Sequence, residues 1–470
     1  MRLACLQAMQ DVASWARETL GDARLGDARR TARIVRMLAR AGAQPAGRVT
    51  EVFAAGPERQ AAYDMLESEA VSATELSAAV GRATARACAE LPRTLVVLDG
   101  TSLTLTDNYE AKGLGHIGSI GAGARGLKLI NALALTTEGV PMGVADQNWW
   151  VRTERAPRGN YRRVNDREST RWRECVTRIG QRFLESAPNT KLHFVADREA
   201  DATLLMRTLR REGHEFTIRS NANRKVLGRS GVAAIRPVLR AIKPLATMQI
   251  ELRRTPRRSA RTAKLEIRAA KLDVRMRDHH IQKTSIVPLT FVWARESGRK
   301  KGVDWILTTN TTVENAADAC EVVRRYTLRW RIEDHHRTWK SGLCNVERSQ
   351  LRSASALIKW ATLLAAVAAR AEQLRHHARV NPDEPAETVL TEHEIDALIV
   401  LKTHEQSRVE VVSREGLSVG QAVRWIADLG GYVGSKSSGK PGPITIGRGL
   451  ARLLPAAVIV ESLRAPPRKR

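Results

Sequence analysis

A chain of 470 residues can bury a sizeable core and divide into more than one domain. Its 77 Lys and Arg against 50 Asp and Glu leave a formal charge of +27, which draws it to polyanions and predicts retention on nucleic acid at low salt. The five cysteines (Cys5, Cys88, Cys175, Cys320, Cys344) are widely spaced and form no CxxC pair. A disulfide framework and a zinc knuckle are thereby set aside, and a reducing compartment is expected.

The start, MRLACLQAMQD, has no long apolar stretch before its first acid, so no leader is expected and the protein is placed in the cytoplasm, on the nucleoid. Residues 1–90 read as a helical DNA-binding domain. In LGDARRTARIVRMLARAG, Asp27 is a candidate N-cap, and Ile34, Val35, Leu38 and Ala41 recur at helical spacing. The same helix carries Arg29, Arg30, Arg33, Arg36 and Arg40, a stripe suited to phosphates. A helical cap on the next domain is the alternative.

The period changes at TLVVLDGTSLTLT, where Leu95 to Leu98 suggest a central buried strand. LKLINALALTTEGVPMGVADQNWW reads as a hairpin turning at Glu138-Gly139. An Arg-rich stretch, residues 152–173, leads into a helix; KLHFVADREAD and EFTIRS follow as strands. Strands alternating with helices predict a mixed α/β core. A β-rich insertion at about residues 222–300 is read from MQIEL, KLEIRAAKLDV and LTFVWA, joined by the basic turns RRTPRRSARTAK and SGRKK, with WILTT beyond it. Residues 314–379 read as helical. The apolar WATLLAAVAA, flanked by Lys359 and Arg370, is expected to be a core helix too short for a bilayer. The C-terminal region, residues 371–470, is expected to hold helices that pair two copies, and a basic tail (Arg468, Lys469, Arg470).

Asp99 and Asp197 each end an apolar strand, at the sheet edge where α/β proteins bind ligands. Carboxylates there are hard ligands suited to magnesium, and a third acid completes a two-ion site. RRYTLRWRIEDHHRTWKSGL supplies one. On a wheel of about 100° per residue starting at Tyr326, Arg329, Glu333 and Lys340 fall at roughly −60°, −20° and −40°, and Arg337 at about +20°. Leu328, Ile332, Trp339 and Leu343 fall on the far side at roughly 200° to 260°. One face enters the core; the other presents an acid framed by cations. GAGARG (Gly121, Gly123, Gly126) matches GxGxxG, but a hairpin follows it, so dinucleotide binding is set aside. The pairs His279-His280, His335-His336 and His376-His377 lack partners at zinc-ligand spacing and are read as surface or DNA-facing.

The spacing Tyr326-xx-Arg329-xxx-Glu333-xxxxxx-Lys340 resembles the YREK signature of a bacterial insertion-sequence transposase family, whose members are DDE enzymes with an RNase H-like catalytic domain. VADREAD and LDGTSL resemble its second-acid and first-acid segments. LGDARRTARIV and LGGYVGSK extend the likeness over most of the chain. The resemblance implies an RNase H-like mixed sheet over residues 91–370, with Asp99, Asp197 and Glu333 holding two Mg²⁺ ions, Mn²⁺ being able to substitute. It implies that Tyr326, Arg329 and Lys340 grip a DNA phosphate beside Arg337. Trp305 would stack on a flipped base with Trp330 assisting, because flipping costs a few kcal/mol. Arg219 would contact the transposon end. The implied partners are double-stranded DNA, as terminal inverted repeats and target, and a second copy in a homodimer, with no membrane. Cleavage is expected through a hairpin. Two departures stand out: Gly100 replaces a threonine and Arg337 a lysine. Rival readings are a nuclease that cuts without joining and a domesticated or inhibitory DNA-binding protein that pairs ends without cutting.

Overall fold

A computed structural model describes residues 11–464 apart from 108–111, 119–122, 153–167, 169, 221–223, 229–230, 253–258, 278–283, 300–301, 406–413 and 435–439. The basic tail, Cys5, His279-His280, most of the arginine-rich stretch, Gly121 and parts of both basic turns and of the LGGYVGSK segment therefore lie outside the described residues.

Five helices come first: α1 (Val12–Leu20), α2 (Ala28–Ala43), α3 (Val49–Val52), α4 (Gly56–Glu67) and α5 (Ala73–Ala87). Asp27 caps α2, its carboxylate accepting the Arg29 N–H at 2.8 Å. The apolar stripe of α2 buries Ile34, Met37, Leu38 and Ala41, while Val35 is half-buried. Arg29, Arg36 and Arg40 remain exposed on the opposite side. These helices are also a cap, since their apolar residues share one core with the central sheet. Thr84 of α5 donates to the Val144 carbonyl at 2.8 Å.

The sheet is built from β1 (Arg93–Thr104), β2 (Gly115–His116), β3 (Arg125–Leu135), β4 (Pro141–Trp150), then helix α6 (Thr170–Ser186), β5 (Lys191–Ala196), helix α7 (Thr203–Arg211) and β6 (Glu215–Arg219). Strand β1 pairs antiparallel with β3 and parallel with β5, β4 pairs with β3, and β5 runs parallel to β6. That order is the mixed sheet expected of an RNase H-like core. Alternate residues of β1 enter different cores: Leu95 and Val97 on one face, Val96 and Leu98 on the other. The β3–β4 hairpin turns through Gly139 at φ 89°, and β3 follows GAGARG directly, as the hairpin reading requires.

The insertion contributes β7 (Lys225–Gly228), β8 (Gly231–Ala234), helix α8 (Ile235–Arg240), β9 (Ala246–Leu252), β10 (Arg261–Arg277) and β11 (Thr284–Glu296). Strand β12 (Asp304–Thr309) joins them to the core by pairing antiparallel with both β11 and β6. The insertion therefore extends the central sheet, in the order β2-β3-β1-β5-β6-β12-β11-β10-β7-β8, with β9 on β10.

The chain then turns helical with α9 (Ala316–Thr327), α10 (Trp330–Lys340), α11 (Ala354–Val380), α12 (Glu392–Glu405), α13 (Val419–Leu429) and α14 (Pro443–Arg464). The expected unbroken run over residues 314–379 is thus three helices. Between α9 and α10 the bonds tighten to three-residue spacing, Arg329 N–H to the Tyr326 carbonyl at 3.1 Å and Ile332 N–H to that of Arg329 at 3.2 Å. A wheel carried through Tyr326 to Lys340 is accordingly distorted at Arg329. Helix α11 is longer than expected, at 27 residues, and passes a length-and-composition test for a membrane span, as does α14. Yet α11 is the core helix foreseen: Trp360, Leu363 and Leu364 are fully buried. Buried Lys359 donates to the carbonyls of Leu66 and Ser68 at 2.8 Å each. Helix α14 packs Ile446, Leu450 and Leu453 into a separate C-terminal core. The four described cysteines are free thiols.

Candidate active site

Strand pairing sets the first two acids. Leu98 stands opposite Ala196 in the parallel β1–β5 register, so Asp99 and Asp197 follow side by side where that pairing stops. Asp197 ends β5 as expected, whereas β1 runs on to Thr104 because β3 still pairs with it, so Asp99 lies within its strand and not at its end. One Asp197 oxygen accepts the Glu199 N–H at 2.8 Å and caps the short turn Arg198–Ala200. Asp99 lies on the same face of β1 as Val97, toward α10. The front face of α10 brings the third acid: Glu333 is half-exposed, with Arg337 and Lys340 one and two turns further on.

Arg329 bridges the acids from the helix junction. Its Nη1 reaches Asp99 Oδ1 at 3.4 Å and Glu333 Oε1 at 3.3 Å. His336 Nδ1 stands 3.6 Å from Asp99 Oδ2, and Lys340 Nζ donates to the Thr101 hydroxyl. Beside Arg329 opens a cleft of about 440 Å³, with Asp99, Asp197, Glu199, Glu333, His336, Arg337 and Lys340 among its walls. Burial pushes Asp99 up to about 8; Arg329 opposes the rise, and Glu333, Asp197 and Glu199 add to it. Arg329 is held above its ordinary range although burial opposes its charge, because Asp99, Tyr326, Glu333 and Asp197 more than offset that cost. Burial lowers Lys340, and pulls His336 well below the usual imidazole range with His335, Lys340 and Arg329 adding to the effect.

The remaining candidates lie around this cleft. Tyr326 is 2% exposed and Trp305 8%, and their rings meet edge to face at 5.1 Å in the core. Burial raises the Tyr326 hydroxyl above its usual range. Arg219, on β6, is half-buried and donates to the Asp304 carbonyl at 3.3 Å. Trp330 is half-buried and Arg337 exposed. On α2, Arg29 is exposed, Arg33 half-buried, and Arg30 bonds the Leu25 carbonyl at 3.0 Å.

The histidine reading is corrected. His335, His336, His376 and His377 are all buried, because residues next to Glu333 on α10 and facing them on α11 turn inward. His335 Nε2 pairs with the Ala365 carbonyl at 3.0 Å. His376 joins Asp334 and Glu372 in a second carboxylate–imidazole cluster. There the Arg375 guanidinium already supplies the positive charge, 2.7 Å from Asp334, so the cluster is an ion network.

Sequence reasoning missed five lining residues, Thr101, Glu199, His336, Ser341 and Glu347. Thr101 is two positions from Asp99, on the same strand face; His336 is one helical turn from Glu333. Both signals were in the spacing. Glu199 and Glu347 carry no such mark, since a turn and a loop bring them in.

The donor set fits a hard divalent ion. Five acids line the cleft (Asp99, Asp197, Glu199, Glu333 and Glu347), and Asp99, Glu333 and His336 each offer one ligand atom, all within 4.8 Å of one another. Buried His336 Nε2 has no partner. Comparison with known families is consistent with this chemistry. Residues 163–369 match a family model described as Transposase DDE domain, and residues 12–71 one described as Transposase DNA-binding. Over residues 163–369 the chain is thus similar to a transposase DDE domain. Asp197 and Glu333 fall inside the matched DDE span, whereas Asp99 precedes it and is joined to them by the β1–β5 pairing. The DNA-binding match covers α1 to α4 and includes the arginines of α2. Such domains act with divalent metal ions, which the acids of the cleft suit.

Proposed function

We propose that the protein binds the ends of a transposon, cuts them by metal-dependent phosphoryl transfer and joins them to target DNA. The observation that carries this reading is the convergence of Asp99, Asp197 and Glu333 on one cleft walled by Arg337 and Lys340. Two divalent ions, Mg²⁺ or Mn²⁺, would supply the charge that activates a water and stabilises the leaving 3′ oxygen. The three carboxylates hold that charge in place. Arg329 stands between Asp99 and Glu333 in the free protein and turns to the DNA phosphate, with Lys340 and Arg337, once the acids are otherwise compensated.

The finer steps follow the same residues. The freed 3′-OH attacks the opposite strand to form a hairpin, and Trp305 receives the flipped base when its contact with Tyr326 opens. That ring pair is worth about 0.5–1.5 kcal/mol beyond its buried area, an amount that base stacking can replace. Two copies hold two ends together through the C-terminal helices, where Val400, Ile459 and Leu463 are 61%, 61% and 80% exposed. The protein works in the cytoplasm on nucleoid DNA.

The test is an end-cleavage and joining assay in Mg²⁺. The wild type cuts end DNA and transfers a pre-cut end, and Glu333→Gln does neither. Cutting without transfer of the pre-cut end marks a simple nuclease. End binding with no cutting by either protein marks a non-catalytic DNA-binding protein.

A further inference from the structure

Strand β1 carries a glycine immediately after its first acid. Gly100 lies mid-strand, paired with Ile130, at a position where glycine weakens a strand and marks a close approach by another group. A Cβ at that position would stand 3.2 Å from Glu199 Oε2, 3.4 Å from Trp172 Cζ2 and 3.7 Å from Ile130 Cδ1. Trp172 and Ile130, core residues 6% and 2% exposed, would meet it at ordinary contact distance and need not move. The exposed Glu199 carboxylate is the group that would have to move.

Glu199 thus stands beside the cleft in a clearance that a side chain at residue 100 would narrow. Its backbone is fixed as well, because its N–H bonds Asp197 Oδ1 at 2.8 Å. Among the described residues no cation pairs with its carboxylate, although Arg337 and Lys340 line the same cleft. His336, which lines the same cleft, has a buried Nε2 without a hydrogen-bond partner.

We infer that Glu199 is a fourth carboxylate of the divalent-metal site, acting on the Asp197 side of the cleft, and that Gly100 provides its clearance. The inference rests on reading the cleft as a divalent-ion site. Glu199 would bind an ion directly or accept hydrogen bonds from the ion's water shell, and either contact raises ion affinity.

The experiment is a titration of the full-length protein with Mn²⁺ alone, following free Mn²⁺ by electron spin resonance, with thermal unfolding as a check on folding. Glu199→Gln, being exposed, keeps the fold and weakens Mn²⁺ binding about tenfold. Gly100→Thr, or the milder Gly100→Ala if threonine disturbs folding, weakens binding in the same direction. The double variant binds no more weakly than Glu199→Gln, because both changes remove one contact. Wild-type Mn²⁺ affinity in Glu199→Gln overturns the inference, and additive losses in the double variant overturn the clearance role of Gly100. Glu333→Gln separates the two levels of the argument. If it too binds Mn²⁺ like the wild type, the cleft itself is not the ion site; if it alone loses binding, only the role of Glu199 falls.

Discussion

Asp99 is the residue on which the chemistry of the cleft turns. Its carboxyl is pushed up to about 8, chiefly by burial. A divalent ion binds the carboxylate form, so ion uptake near neutral pH releases a proton from Asp99. The affinity for Mg²⁺ is expected to rise between pH 6 and pH 8 and to level off above, readable by calorimetry in two buffers of different ionisation heat. The linked stability has a definite sign. A carboxyl raised in the folded state holds its proton more tightly there than in the unfolded chain, so its contribution is complete below about 4, the ordinary carboxylate range, and is lost as pH climbs to about 8. The metal-free protein therefore gains more in melting temperature from added Mg²⁺ at pH 8 than at pH 6. Asp99→Asn removes that difference and raises the metal-free melting temperature by about 2–4 °C. At this scale the shared face of Glu333, Arg337 and Lys340 was legible, since all three lie on α10 and line the cleft, whereas Tyr326, beyond the break at Arg329, turns into the core. Trp305 was not, because its burial against Tyr326 depends on how α9 settles on the extended sheet, which spacing does not encode.

At the scale of elements, α10 is held from behind. Asp334, His335, Thr338 and Trp339 turn away from the cleft and bond α11: Thr338 donates to Glu372, Trp339 Nε1 to the Ala361 carbonyl at 2.9 Å, and Arg375 pairs with Asp334 and Glu372. The Glu372 carboxyl is drawn down to about 2: burial opposes its charge, but Arg375 and His376 overcome that cost. Arg375→Ala leaves two buried carboxylates without their guanidinium. It is expected to destabilise the protein by about 3–5 kcal/mol in denaturant unfolding; a loss below about 1 kcal/mol would show that the network does not brace the helix. The strands and the amphipathic α2 were readable because burial on one face leaves a period in the sequence. The break between α9 and α10 was not, because Thr327, Leu328 and Arg329 are ordinary helix residues and the three-residue bonding is imposed by packing on the β3–β4 turn. Arg331 bonds the Gly139 carbonyl there at 3.0 Å. The buried histidines escaped for a related reason: polar residues paired inside a protein look, in sequence, like polar residues outside it.

For the whole molecule, the +27 charge and the arginines of α2 predict DNA binding with a steep salt dependence. Arg29 and Arg33 are the residues to test, since Arg30 also bonds the Leu25 carbonyl and its loss would disturb the fold. Arg29→Ala with Arg33→Ala is expected to lower the slope of log affinity against log salt by about 2, one per phosphate contact, without altering sequence preference. An unchanged slope would move the phosphate contacts elsewhere. Pairing of copies is testable on α14: Leu463→Glu with Ile459→Glu should leave monomeric folding intact and abolish the two-end complex in a gel-shift assay. The alternation of strands and helices foretold the mixed sheet, but not that the insertion would continue that sheet through β12, because strand order is a long-range property. The measurement that bears most directly on the central claim replaces each acid by cysteine. A thiolate binds Mn²⁺ better than Mg²⁺, so Asp99→Cys, Asp197→Cys and Glu333→Cys should lose end cleavage in Mg²⁺ by about 10²–10⁴-fold and regain part of it in Mn²⁺. Full Mg²⁺ activity in any of the three would contradict the account.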